Sequence, residues 1–298
     1  MGERDAVSTG SRKYTVTMSL SPGSTLTVAA AMPALAALAV VAYAVAALPL
    51  RVTVVAAART AAAALLLGWL LHFVLLVLDI SGWGQGLPGV RLGFAPVLSA
   101  TVWLLLGVHA VESRFVPLPA VRMGLATAGA LAVAVAALYP GEVRPFATPL
   151  GPLHFVLGVA SYGLFGAAVL HALLLGAAER RLKQHKPLPG TAATLGAFGM
   201  PLMQLERLTF RFVQAGFVVL SATLLLGVMT PMGWRWDHKS VFSLLAWAVF
   251  AALLVGRHWR GWRGRYAMRW LYVGALLLLL AYVGSRFVFE VLLARPRP

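Results

Sequence analysis

The sequence predicts an all-α membrane protein, a bundle of about eight transmembrane helices with both termini outside. Hydrophobic residues occupy 60% of the 298 positions and charged residues only 11%, a balance that does not suit a water-exposed surface. Several uncharged stretches are about eighteen residues or longer, enough for a helix to cross a hydrocarbon layer about 30 Å thick. The basic residues collect in alternate connections between these stretches, which is typical of a polytopic membrane protein.

Eight apolar segments are long enough to form these helices, with approximate boundaries. They run from Leu26 to Leu50, Ala61 to Leu78, Phe94 to Val111, Leu125 to Tyr139, Leu153 to Ala177, Phe212 to Met229, Val241 to Val255 and Leu271 to Leu293. A ninth, shorter half-helix is predicted near Thr191 to Met203. Residues 1–25 are predicted to be a polar, disordered tail, and residues 26–298 to form the transmembrane domain.

The distribution of Lys and Arg predicts the orientation, because connections that face the cytoplasm carry an excess of these residues. The connections rich in them contain Arg51 and Arg59, Arg114 and Arg122, Arg180, Arg181, Lys183 and Lys186 with Arg207 and Arg211, and Arg257, Arg260, Arg263, Arg265 and Arg269. The opposite connections contain only Arg91, Arg144, Arg235 and Lys239. We therefore expect a multi-pass protein of the bacterial inner (cell) membrane whose termini face the periplasm.

Composition excludes several classes of function. The net charge is +16, but the basic residues lie between apolar segments rather than along one soluble face, so nucleic acid is not an expected partner. The chain has no cysteine, which excludes disulfides, iron–sulfur ligation and thiol chemistry. The sequence has no Gly-rich phosphate loop and no nucleophile elbow, and its few acidic residues argue against hydrolysis or phosphoryl transfer.

Residues that suit a large planar ligand lie just before the seventh apolar segment. Trp234 and Trp236 are followed by Asp237, His238 and Lys239. Two indole rings beside polar groups offer a flat surface for such a ligand. Taken alone, the residues favour the simpler interpretation that these tryptophans belong to an aromatic belt at the depth of the lipid headgroups.

Four ordered motifs resemble the membrane core of the cytochrome c assembly family, which includes CcsA, CcmC and CcmF. They are Leu153-His154 with Ser161-Tyr162, Met203 with Leu205-Glu206-Arg207, the tryptophan-rich string from Trp234 to Trp247, and Gly261-Trp262-Arg263-Gly264-Arg265. The core that carries the resemblance extends over about residues 94–298. The whole chain is most similar to the small stand-alone branch of the family called HemX or YpjD.

The resemblance implies that haem b is the cofactor, held at the outer face by the tryptophan-rich loop with histidine as an iron ligand. His154 matches the first outer histidine of the family, and Trp234, Trp236 and Asp237 lie in the region of the haem-binding loop. Asp237 is also expected to cap the seventh helix or to pair with a neighbouring cation. The side chains of Arg235 and Lys239 are expected near the haem propionates.

The second outer histidine of the family is missing, because no histidine lies between Leu271 and Pro298. This departure argues against a complete haem ligase and favours an assembly factor. His72, roughly 10 Å from Asp79 along the second helix, is a candidate for the second iron ligand. The alternative for His72 is a buried polar residue paired across helices.

A second, inner haem contact is suggested by His258, which matches a histidine that receives haem from the cytoplasmic side in CcsA-type proteins. His109, near the inner end of the third helix, is expected to face it. The alternative for His258 is an ordinary interface residue. His171 lies about 25 Å along the fifth helix from His154, so it cannot share the same iron.

The predicted function is an integral inner-membrane haem-binding protein of cytochrome c biogenesis that holds or presents haem at the outer face. Its expected partners are haem, the lipid bilayer, other cytochrome c maturation membrane proteins and apocytochrome c. The alternative is a HemX-type membrane regulator or scaffold of tetrapyrrole metabolism without haem delivery. A small-solute transporter is disfavoured because the sequence has no convincing inverted repeat.

Overall fold

A computed structural model describes residues 22–49, 55–81, 90–113, 119–144, 149–183, 202–229 and 236–293. Within these ranges, eight helices are long and apolar enough to cross a membrane. They are α1 (Pro22–Ala47), α2 (Val55–Ser81), α3 (Phe94–Glu112), α4 (Pro119–Leu138), α5 (Gly151–Lys183), α6 (Leu202–Val228), α7 (His238–Arg260) and α8 (Gly264–Leu279). The predicted all-α membrane bundle of about eight helices is confirmed.

Several helices are longer than the apolar segments that predicted them. α5 continues to Lys183, beyond the predicted end at Ala177, and α6 begins at Leu202 rather than at Phe212. Hydropathy marks only the part of a helix that suits lipid, whereas the backbone hydrogen bonds continue into the polar interface. α1 begins at Pro22, inside the segment assigned to the polar tail.

Two predicted features fall largely outside the described residues. They are the tail up to residue 21 and the half-helix near Thr191 to Met203, of which only residues 202 and 203 are described, as the start of α6.

A small antiparallel sheet, which the hydropathy pattern does not predict, joins two connections at one end of the bundle. Strand β1 (Val90–Leu92) pairs with β2 (Glu142–Arg144). Gly141 precedes β2 with a φ of 77°, and a Cβ there would lie 2.8 Å from the Leu92 carbonyl oxygen. We call this end, which also contains the first turns of α3, α5 and α7, the strand end. The opposite end, where α7 meets α8 among several arginines, is the basic end.

The helices α5 to α8 pack around a stacked aromatic pair. The rings of Phe165 and Phe250 lie with their centroids 3.8 Å apart and their planes 7° from parallel, and both side chains are buried. Gly216 of α6 faces Phe165, and Gly274 of α8 faces Phe250. Glycine at these positions lets helix backbones approach the rings closely, which is a common basis of helix association in membranes.

The helices α1 to α4 form a second core around Tyr43, which is fully buried. Gly68 of α2 and Gly129 of α4 both face the Tyr43 ring, and Leu106 of α3 belongs to the same cluster. A large side chain from α1 thus fills a space that small residues on two other helices leave open.

α8 continues beyond Leu279 through two π-helical turns, Leu280–Gly284 and Val288–Leu292, on either side of a short α-helical turn, Ser285–Phe287. The phenolic hydroxyl of Tyr162 on α5 donates a hydrogen bond to the Leu278 carbonyl, just before the first π turn. π turns are rare and occur often at functional sites. This continuation of α8 carries Tyr282, Arg286 and Glu290 to the strand end.

The Gly-Trp-Arg-Gly-Arg motif builds the tight corner between α7 and α8. Gly261 ends α7 with a φ of 65°, in the left-handed region that favours glycine. Trp262 then folds back over α7, where a Cβ on Gly256 would lie 2.5 Å from its indole ring. Gly264, which begins α8, also has a positive φ, of 57°.

We expect Gly261→Ala to lower the free energy of unfolding by about 1–2 kcal/mol, because a Cβ is strained in the left-handed region. A Cβ at this position would meet no atom within 4 Å, so the loss would come from the backbone alone. Thermal or denaturant unfolding in detergent micelles measures it. The matched control is Gly124→Ala in α4, where a Cβ is equally unhindered and alanine favours the helix. Equal stability changes for the two variants would contradict the prediction.

Candidate functional site

His154 lies in the first turn of α5, where its backbone N–H donates to the Leu150 carbonyl at 3.0 Å. The imidazole packs against the end of α6, with its Cε1 atom 3.4 Å from the position of a Cβ on Gly227. The ring donates a hydrogen bond to the main-chain carbonyl of Thr223. Within the described part of the chain, the buried Nδ1 atom has no hydrogen-bond partner. The ring therefore keeps a donor or acceptor function that the described protein atoms do not use.

Asp237 caps α7, as one of the sequence interpretations predicted. Its Oδ1 atom accepts a hydrogen bond of 2.9 Å from the Ser240 backbone N–H, which satisfies one of the free donors at the helix start. The cap fixes the first turn of α7, which contains Lys239. The Lys239 ammonium is close enough to act electrostatically on His154, and it lies 5.9 Å from the centroid of the Tyr282 ring.

The tryptophan-rich loop is only partly within the described residues. Trp234 and Arg235 lie outside them. Trp236 has a relative exposure of 77%, which leaves most of its indole surface accessible at the strand end. His238, the first residue of α7, is also exposed.

Trp247, at the end of the tryptophan-rich string, joins two helices. Its indole Nε1–H donates to the Ser221 hydroxyl at 2.9 Å, and its ring stacks on Phe217 at a centroid distance of 5.5 Å. Both partners belong to α6. In this structure Trp247 links α6 to α7, while Trp236 is largely exposed.

His72 is buried between three helices with both ring nitrogens engaged. Its Nδ1 atom lies 3.1 Å from the Tyr43 hydroxyl of α1, and its Nε2 atom lies 2.7 Å from the Ser99 hydroxyl of α3. The residue is 1% exposed. These contacts correspond to the interpretation of His72 as a polar residue paired across helices. Ligation of iron by His72 would require one of the two hydrogen bonds to break.

His109 and His258, the expected inner pair, have different surroundings. His109 is buried in α3, and its charged neighbours are Glu112, Arg122 and His171. His258 is exposed in the last turn of α7 at the basic end. His171 of α5 thus acts electrostatically on His109, and the pairing of His109 with His258 stays a prediction.

The contact between His171 of α5 and Glu112 of α3 was not predicted from the sequence. The Nε2 atom of His171 lies 3.1 Å from the Glu112 Oε1 atom, and its Nδ1 atom lies 2.7 Å from the Ala167 carbonyl oxygen. His171 itself is 2% exposed. The available signal was that ionisable residues inside membrane segments usually pair with one another.

Two ion pairs brace the strand end. Arg91 of β1 lies 3.4 Å from Asp79 at the end of α2. Arg286 lies 3.4 Å from Glu290 one turn further along the C-terminal continuation of α8. The second oxygen of Glu290 accepts a hydrogen bond of 3.4 Å from the backbone N–H of Phe94, the first residue of α3.

The side chains at the strand end fit the chemical groups of haem. The imidazole of His154 has an unused buried nitrogen, and imidazole is a common haem-iron ligand. Trp236 presents an exposed indole face, which suits a planar macrocycle. Lys239 supplies a cation beside the imidazole, and cations bind carboxylates such as propionates.

Fold and site together define a polytopic membrane protein with a polar, aromatic site at one end of its helix bundle. A family model described as cytochrome C assembly protein matches residues 57–293. The chain therefore belongs to the cytochrome c assembly protein family, as the motifs indicated.

Curated relatives agree with this membership. Inner membrane protein YpjD of Escherichia coli (strain K12) is 34% identical over 168 residues, which cover 54% of this chain and 60% of YpjD. An uncharacterized 28.8 kDa protein of Azospirillum brasilense is 35% identical over 146 residues, 47% of this chain and 52% of that protein. Cytochrome c biogenesis protein CcsA of Prochlorococcus marinus (strain NATL1A) is 28% identical over 156 residues, 50% of this chain and 47% of CcsA.

The chain thus spans about half the length of these relatives. No solved structure matches the chain.

Proposed function

We propose that this protein is an integral inner-membrane haem-binding protein of cytochrome c biogenesis that holds or presents haem b at the strand end. The observation that carries the proposal is the buried, unpartnered Nδ1 atom of His154, in a chain that belongs to the cytochrome c assembly family. A buried polar atom without a partner is costly and calls for an explanation. A ligand that engages the His154 imidazole supplies one.

Each residue at the strand end has a role in this proposal. His154 would bind the iron, and Trp236, together with Trp234, would cover a face of the macrocycle. Asp237 would hold the first turn of α7 in place through its cap on Ser240. The bound haem would supply the iron and the two carboxylates that the protein recognises.

His72 and His258 each have one proposed role in haem binding. His72 is the candidate for the second iron ligand and would have to exchange its hydrogen bond with Tyr43 or with Ser99 for the metal. His258, exposed at the basic end, is the candidate residue for contact with haem that arrives from the cytoplasm. The expected protein partners are other cytochrome c maturation membrane proteins and apocytochrome c.

The absorption spectrum of the detergent-purified protein tests the function directly. We expect wild-type protein from haem-replete cells to show a Soret band and a defined haem content per chain. His154→Ala should lose most of the haem, because an axial ligand is removed. His72→Ala tests the second-ligand assignment: loss of haem, or a shift of retained iron from low spin to high spin, supports it, and an unchanged spectrum removes His72 from the iron site.

His258→Ala, at the opposite end of α7, tests the inner contact: it should lower the haem content of protein loaded in cells and leave the haem content of purified protein reconstituted with haemin unchanged. Haem-free wild-type protein from haem-replete cells would contradict the proposal. An unchanged Soret band in His154→Ala would remove His154 from the iron site.

The missing second outer histidine favours a second candidate function. It is a HemX-type membrane regulator or scaffold of tetrapyrrole metabolism. The sequence has no histidine between Leu271 and Pro298, where the family has its second outer ligand, and both ring nitrogens of His72 are engaged. A regulator would act by protein contact. Its deletion should change the levels of haem-pathway enzymes while cytochromes c stay normal, whereas loss of a haem-delivery protein should lower cytochrome c.

A further inference from the structure

Arg286 is the most deeply buried arginine of the described residues, with a relative exposure of 5%. Its terminal nitrogen lies 3.4 Å from the Glu290 Oε1 atom, which is long for a charge-assisted hydrogen bond. Its Nε atom is buried and has no hydrogen-bond partner among the residues that the structure describes. A guanidinium has five N–H donors, so this buried cation is only partly satisfied.

Glu290 holds this guanidinium in place but accepts hydrogen bonds from only part of its N–H donors. One carboxylate oxygen faces Arg286, and the other accepts from the Phe94 backbone N–H at the start of α3. Glu142 of β2 also acts electrostatically on Glu290. The carboxylate is therefore shared between the guanidinium and the end of another helix.

A second cation approaches the same place from α7. The Arg286 guanidinium lies 5.8 Å from the centroid of the Tyr282 ring, and the Lys239 ammonium lies 5.9 Å from the same centroid. Lys239 in turn acts electrostatically on the His154 imidazole. The ring of Tyr282 thus connects Arg286 to the side chains around His154.

A comparison with two other arginines shows what is special about Arg286. Arg257 at the basic end lies 3.1 Å from Glu206, stacks on Phe210 at 3.5 Å and has a 25% exposed side chain. Arg91 has an unpartnered Nε atom as well, but its side chain is 23% exposed. Arg286 alone among these three combines deep burial with an unsatisfied donor.

We propose that Arg286 is the carboxylate-recognition residue of the strand-end site, where its guanidinium donates hydrogen bonds to a propionate of the haem bound by His154. Glu290 positions the guanidinium, and Lys239 adds a second positive charge across the Tyr282 ring. The inference rests on the proposed haem-binding function. In it, Arg286, which lies outside the tryptophan-rich loop, distinguishes haem from porphyrins that lack free carboxylates.

Equilibrium titration of the full-length, detergent-purified protein with haemin and with haemin dimethyl ester, followed by Soret absorbance, tests this inference. The ester keeps the iron and the macrocycle and removes both negative charges. We expect wild-type protein to bind haemin about ten-fold or more tightly than the ester, the range of one charge-assisted contact. Equal affinities would overturn the role of Arg286 while leaving haem binding intact. No binding of either compound would overturn the haem-binding function itself.

The variant Arg286→Gln tests whether Arg286 causes the preference for haemin over the dimethyl ester. We expect it to weaken haemin binding about ten-fold and to leave the affinity for the ester unchanged, with the Soret maximum at the wild-type position because His154 still binds the iron. Arg257→Gln removes an arginine that also faces a glutamate, but at the basic end, and it should keep the wild-type preference. A full wild-type preference in Arg286→Gln would overturn the proposal. If this variant fails to fold, the wild-type comparison alone still decides whether the carboxylates are recognised.

Discussion

Gly274→Ala is expected to lower the free energy of unfolding by about 3 kcal/mol, at the upper end of the cost of overpacking a core. A Cβ on Gly274 would lie 2.6 Å from the Phe250 ring, closer than two carbon atoms can approach. Phe250 cannot move away, because its ring stacks on Phe165 at a centroid distance of 3.8 Å and both rings are buried. The helices α7 and α8 would have to separate.

Thermal unfolding in detergent micelles measures the effect, and two further variants make it specific. Gly158→Ala is the control, because a Cβ there would meet only the Thr223 Cγ2 atom, at 3.9 Å. Phe250→Leu in the Gly274→Ala background should recover part of the lost stability, since a smaller side chain makes room for the added methyl group. A destabilisation by Gly158→Ala as large as that by Gly274→Ala would contradict this account of the α7–α8 contact.

The number and location of the helices could be predicted because lipid selects for length and hydropathy, which a sequence displays directly. Each of the eight apolar segments corresponds to a helix of the structure. The two three-residue strands could not be predicted, because pairing between distant residues determines them. The π-helical turns could not be predicted either, because the change from i→i+4 to i→i+5 hydrogen bonds leaves no mark in the hydropathy pattern. The orientation of the bundle stays a prediction from the distribution of arginine and lysine.

The faces of the helices are harder to predict than their positions. In a soluble helix the apolar stripe marks the buried face, but in lipid the outward face is apolar too. Leu66, Leu70 and Val77 of α2 are exposed, whereas His72 of the same helix is buried. The partners of His72, which are Tyr43 and Ser99, therefore gave no signal in the hydropathy pattern.

At the strand end, His154, Trp236 and Asp237 could be predicted from the sequence, because they belong to motifs that resemble those of the family. Arg286 and Glu290 belong to no predicted site, because their importance depends on burial and on contacts with α3. The cap by Asp237 could be predicted, since an Asp before an apolar helix is a local signal. A local cap can therefore be read from the sequence, whereas burial and contacts between helices cannot.

The contact between His171 and Glu112 leads to the second large expected effect. The Ala167 carbonyl can only accept a hydrogen bond, so the His171 Nδ1 atom donates to it. The Nε2 atom faces a carboxylate oxygen at 3.1 Å, and this contact is favourable only if one of the two groups carries an additional proton. The pair therefore joins α3 to α5 through a shared proton beside the ring of Phe212, whose centroid is 5.1 Å from that of His171.

We expect Glu112→Leu to lower the free energy of unfolding by about 3 kcal/mol, because it leaves the buried imidazole of His171 unpaired. His171→Leu should cost less, about 1 kcal/mol, because the Glu112 side chain is 29% exposed and solvent can reach it. The double variant should be more stable than the sum of the two losses predicts, by about 2 kcal/mol, since neither polar group remains. Glu112→Gln is the conservative control: its amide N–H donates to a neutral His171 Nε2 atom, so stability should change little. Unfolding of all four variants in one detergent completes the cycle, and losses that simply add in the double variant would show that the contact does not stabilise the bundle.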